Sequence, residues 1–97
     1  MTLEQALKTR DQYKHLVGQK AKDVDANIHD VIVVPNDNFG AFIAEYRMYM
    51  DEVSNDEMIL SYPSKAYSVK VIYDYDPEFV NIISDDISEY IKRNSSS

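Results

Sequence analysis

The run Ile28-His29-Asp30-Val31-Ile32-Val33-Val34-Pro35 constrains this chain more than any other stretch. Val31 to Val34 are four consecutive β-branched residues, whose crowded Cβ atoms are stiff in a helix and fit a pleated strand. In a strand they alternate between faces, so both faces are apolar. A strand over residues 28–34 is therefore expected in the interior of a sheet, with cover on both sides. Pro35 is expected to end it, since proline has no N–H to give to a ladder.

The remaining elements read as cover for this strand. Thr2 to Val17 has the features of a helix, with Thr2 as N-cap and Gln5 at the capping-box spacing. Leu3, Ala6, Leu7, Tyr13, Leu16 and Val17 fall near one stripe, which Arg10 interrupts. Gly18 suits the position after the helix, and Lys14 and His15 sit where cations favour a helix C-terminus. Residues 19–27 form a polar connector.

Beyond Pro35, the turn Asn36-Asp37-Asn38 offers helix caps. Phe39, Phe42, Ile43, Tyr46, Tyr49, Met50 and Val53 follow the i, i+3, i+4, i+7 template, so residues 39–53 are read as a helix. The competing reading is a long strand from Ala41 to Met50. After a polar break at residues 54–57, Met58 to Tyr62 reads as a short strand, and Pro63-Ser64-Lys65 as a turn. Tyr67, Val69, Val71, Tyr73 and Tyr75 then alternate with Ser68, Lys70, Ile72 and Asp74, the pattern of an amphipathic strand paired in a hairpin with 58–62. Asp76 and Pro77 read as the cap and first residue of a last helix, with Phe79, Val80, Ile83, Ile87, Tyr90 and Ile91 as its buried stripe.

The expected fold class is α/β (α+β): a small mixed three-stranded sheet packed by three helices in the order α-β-α-β-β-α. Strand 28–34, helix 39–53 and strand 58–62 would form a right-handed βαβ crossover. A chain of 97 residues has core enough for one domain, expected over residues 1–94, with 95–97 as a flexible tail.

Cysteine is absent, which removes disulfides, thiolate metal sites and cysteine nucleophiles, and suits a reducing cytoplasm. The N-terminus has no basic region followed by an apolar one, and no apolar run approaches the roughly 18 residues that span a bilayer. A soluble, cytoplasmic protein is expected. The net charge of −7 is unevenly spread. Residues 1–22 carry five basic groups against two acidic ones, and residues 23–97 carry five against fifteen. The acidic body repels phosphate backbones and argues against general nucleic-acid binding. The asymmetry itself is read as a basic first helix lying on the acidic remainder.

No motif for catalysis or ligand binding stands out. Asp23, Asp25, Asn27 and His29 alternate like calcium ligands, but the sixth position from Asp23 is Ile28 instead of glycine and the twelfth is Val34 instead of glutamate. Asp51-Glu52, Asp56-Glu57 and Asp85-Asp86 lie in polar turns or on an outer helix face, where water holds carboxylates near their ordinary pKa. Asp74, Asp76 and Glu78 are explained by a helix cap. A nucleophile elbow and an oxyanion-hole glycine cluster are both missing. No catalytic, cofactor-binding or metal residues are assigned, and no cofactor is expected.

The leading expectation is a non-enzymatic protein-interaction domain. Its partner would be a basic protein drawn to residues 23–57, which hold nine acidic groups against Arg47 alone, in the manner of an inhibitor or immunity-like binder. One alternative is a small-molecule site or enzyme at the Pro35–Gly40 turn, beside a helix N-terminus, with Asn36 and Asn38 as polar contacts. Another is a homodimer through the tyrosine-bearing hairpin, where Tyr62, Tyr67, Tyr73 and Tyr75 cluster.

Overall fold

The computed structural model describes residues 1–22, 24–76 and 79–95, with residues 75, 76 and 79–84 described by their backbone alone. In chain order the elements are α1 (Leu3–Tyr13), β1 (Asn27–Pro35), α2 (Phe39–Tyr49), α3 (Asn55–Leu60), β2 (Tyr67–Asp76), β3 (Phe79–Asp86) and α4 (Ile87–Ser95). The fold is mixed helix and strand, and it keeps the expected α-β-α-β-β-α succession once α2 and α3 are taken together.

Local signals place the first elements. Thr2 caps α1 through the full capping box, its hydroxyl accepting from Gln5 N–H at 3.1 Å while the Gln5 side chain accepts from Thr2 N–H at 3.0 Å. The helix is shorter than its periodicity suggests. It tightens into a 3₁₀ turn over Lys14–Leu16 and stops before Gly18, whose φ of 89° is open to glycine at little cost. Gly18 N–H then donates to Ile28 O, and Ile28 N–H to Gln19 O, so the returning chain lies along the start of β1.

The sheet order is β1-β2-β3, and both pairings are antiparallel. This corrects two expectations. The sheet is not mixed, and β1 lies at an edge instead of in the interior. Val31, Ile32, Val33 and Val34 are nevertheless all fully buried, so cover on both faces is real. Helices supply it: α1, α2 and α3 all pack on β1.

The exposed edge of β1 is closed by other means. Ile28 N–H goes to Gln19 O, Val31 N–H goes to the Asp30 carboxylate at 2.8 Å, and Pro35 has no N–H to satisfy. Val33 meets the side-chain amide of Asn55, which accepts from Val33 N–H and donates to Val33 O, both at 2.9 Å. One asparagine thus pairs with the strand as a neighbouring strand would. An edge whose donors are satisfied is a poor template for further strand pairing.

Two further expectations are corrected. Residues 58–60 are helical. Ser54 caps α3 by accepting from Glu57 N–H, and Asp56 and Glu57 sit in its first turn, where negative charge is favoured. The short apolar run buries Met58 and Ile59 and leaves Leu60 outside. The hairpin and the βαβ crossover expected from residues 58–62 therefore do not form, and the described residues make four α-helices instead of three.

Residues 79–86 are a strand instead of the first turns of the last helix, and β2 pairs with them across Tyr73↔Asn81 and Asp74↔Val80. The helix starts ten residues after the expected first position Pro77, at Ile87. Its cap is Asp86, whose carboxylate accepts from Ser88 N–H at 2.9 Å. The expected role of Pro77 lies outside the described residues, as do the side chains of Phe79, Val80 and Ile83 and the tail residues Ser96 and Ser97. Ile87 and Tyr90 keep their place in the buried stripe.

Candidate functional site

The acidic span predicted to meet a basic partner divides into groups that the fold uses and groups that it leaves in water. Asp30 forms an ion pair with Lys14 at 2.7 Å. The Asp37 carboxylate accepts from Lys65 N–H at 3.2 Å and lies 3.1 Å from the Ser64 hydroxyl. Glu45 accepts a hydrogen bond from Tyr62, and this bond is the main reason that the Tyr62 phenol is raised above its ordinary pKa. Asp56 pairs with Arg10. Asp25, 98% exposed at its side chain, meets Lys20 at 3.2 Å. Asp23 lies outside the described residues.

Arg10 shows how sequence reading misjudged one position. It interrupts the apolar stripe of α1, yet only 7% of its surface is exposed. Its guanidinium donates to Asp11, Asp56 and Asn55 Oδ1. Burial disfavours its charge, and the hydrogen bonds to Asp56 and Asp11 outweigh that effect and raise its pKa. With Lys14 on Asp30, this realises the expected laying of a basic first helix on an acidic body. Asn55 bridges Arg10 and β1, a role without any signal in the sequence.

Asp51, Glu52 and Glu57 remain. All three are exposed, and among the described residues none has an ion-pair partner. They belong to the turn between α2 and α3 and the first turn of α3, and these two helices pack on each other. The helix ends flanking them expose large apolar side chains: Met48 at 71% and Tyr49 at 38% in the last turn of α2, and Leu60 at 67% at the end of α3. Leu60 stands three residues after Glu57, on the same side of α3. Tyr46, on α2, is buried, and burial, reinforced by the charges of Asp30 and Asp51, raises its pKa strongly.

No family model, curated protein or solved structure matches this chain.

At the Pro35–Gly40 turn, Asn38 takes a left-handed conformation (φ 59°) and caps α2 without a side-chain hydrogen bond. The polar groups of the turn are fastened to residues 64–68: Asn36 N–H donates to Ala66 O, Asp37 N–H to Ser64 Oγ and Ser68 Oγ to Asn36 Oδ1. Tyr67 and Tyr73 are buried at 8% and 1% exposure, and the Tyr73 hydroxyl donates to Asp85 at 2.7 Å. These two tyrosines serve the core. His29 Nδ1 lies 3.9 Å from Asp74. Among the described residues no helix is long and apolar enough to cross a membrane.

Proposed function

We propose that this chain is a non-enzymatic interaction domain that captures a basic protein through the connection between α2 and α3. The observation that carries this reading is that exposed Met48, in the last turn of α2, and exposed Leu60, at the end of α3, flank along the chain the exposed carboxylates of Asp51, Glu52 and Glu57, which have no ion-pair partner among the described residues. Each half supplies a different part of binding. Burying an exposed aliphatic side chain is worth about 1.5–3 kcal/mol, enough for an anchor. Carboxylates at the rim add little affinity but steer a basic partner and raise its on-rate. An inhibitor or immunity-like binder of a basic enzyme has this division of labour. The absence of cysteine fits a partner met in a reducing cytoplasm.

The test is capture from the cell's own lysate on the tagged chain at low and high salt, beside two variants. One carries Asp51→Asn, Glu52→Gln and Glu57→Gln; the other carries Met48→Ala and Leu60→Ala. The expected result is a basic protein retained at low salt, depleted at high salt by screening, and lost from both variants. Retention of the same proteins by parent and variants, or of no protein at all, overturns the reading.

A further inference from the structure

A groove of about 240 Å³ lies between the segment that follows α1 and the helix α4. Its walls are Tyr13 and Leu16 on one side and Tyr90 and Ile91 on the other, and Lys20 and Lys22 stand on it. The walls are tied together: Lys22 N–H donates to Asn94 Oδ1 at 2.8 Å, and Asn94 Nδ2 donates to Tyr90 O at 2.9 Å. Gly18, at φ 89°, turns the chain so that the residues after it can run along the start of β1.

The distribution of cations selects an occupant. Five basic residues lie in residues 1–22. Arg10 is held by Asp11 and Asp56, and Lys14 by Asp30. Of the three left, two stand on this groove. Among the described residues Lys20 has a single ion-pair partner, the exposed Asp25, in a surface pair of the kind that contributes little and exchanges readily. Lys22 has no ion-pair partner among the described residues. In a chain of net charge −7 this is an unusual place for uncommitted positive charge.

We infer that the groove between Tyr13 and Tyr90 binds a small organic anion, a flat apolar ring system with one carboxylate or equivalent group facing Lys20 and Lys22. The volume lies just under the roughly 300 Å³ at which drug-sized pockets begin, which suits one or two fused rings. The tyrosine and aliphatic walls take the ring, and the ammonium groups take the charge. This site is separate from the α2–α3 surface and stands or falls independently of it.

The experiment is a titration of the full ¹⁵N-labelled chain with 2-naphthoate and, separately, with the uncharged 2-naphthamide, followed by amide chemical shifts. Naphthoate is expected to give saturable shifts at Gln19, Lys20, Lys22 and Ile91. The amide should bind at least about tenfold more weakly, the loss of one charge-assisted contact. Lys20→Ala with Lys22→Ala should weaken naphthoate binding by a similar factor with the spectrum otherwise preserved, and the single variants serve if the double variant fails to fold. Lys8→Ala, an exposed cation away from the groove, should bind as the parent does. The inference is overturned by shifts that do not saturate or lie elsewhere, by equal binding of the amide, or by variants at Lys20 and Lys22 that bind unchanged.

Discussion

Asp51-Glu52 and Asp85-Asp86 are two adjacent acidic pairs that look alike in the sequence, and the molecule uses them in opposite ways. Asp85 has a side chain only 12% exposed; it accepts from Arg93 at 2.6 and 3.0 Å and from the Tyr73 hydroxyl at 2.7 Å. Asp86 caps α4. Together they fix the junction between a strand and a helix, contrary to the expectation of solvated charge on an outer face. Asp51 and Glu52 follow the last turn of α2 and stay in water. A carboxylate becomes structural where a donor is held nearby by other packing; without one, hydration keeps it outside.

That contrast is open to graded tests by chemical denaturation. The largest effect is expected just beyond the open pair, at Asn55. Asn55→Ala strips Val33 of both edge hydrogen bonds and removes one acceptor from buried Arg10, so a loss of about 3 kcal/mol is expected from several unsatisfied groups. A change under about 1 kcal/mol would mean that water replaces the amide and that the edge is not sealed. Asp85→Ala should cost about 2 kcal/mol, because it leaves the Tyr73 hydroxyl and Arg93 without a shared acceptor. An unaltered midpoint for that variant would erase the distinction between the two pairs.

Asp86→Ala is expected to cost about 1 kcal/mol, the ordinary value of a lost helix cap. Circular dichroism should show the loss in helix signal, and retention by Asp86→Ser would confirm capping as the cause. The smallest effect belongs to Asp51→Asn combined with Glu52→Gln. Stability should stay within about 0.5 kcal/mol of the parent, as for surface positions without partners. A larger loss would show that this pair also serves the fold and would weaken its assignment to a binding surface.

The same division explains how much was legible beforehand. The Thr2–Gln5 box and the alternating Tyr67–Tyr73 face read correctly, and the helix expected over residues 39–53 forms but ends at Tyr49, since each of these signals depends on neighbours within a few residues. The Ser54 cap is equally local, with glutamate three residues on, but the apolar run Met58 to Tyr62 after it also fits a strand, so the local pattern alone does not choose. Of the candidate surface, the acidic surplus of residues 23–57 was visible, but not which of its carboxylates would stay unpaired. The exposure of Met48 and Leu60 left no mark either, because apolar residues at helical spacing look the same whether they face a core or a partner.

By itself, the sequence determined the extended backbone of residues 28–34, the capped start of α1, the helical periodicity that opens α2 at Phe39 and the overall excess of acid, all set by propensity, capping and charge count. Tertiary structure decided the rest. It made Phe79–Asp86 a strand, because β2 offered a second edge whose hydrogen bonds outweigh the helical pattern of those residues. It placed β1 at an edge and closed that edge with Asn55, 22 residues further along the chain. It also buried Arg10 against Asp56, 46 residues away. Contacts at such separations appear only when the chain has closed on itself, so their partners cannot be read from local spacing.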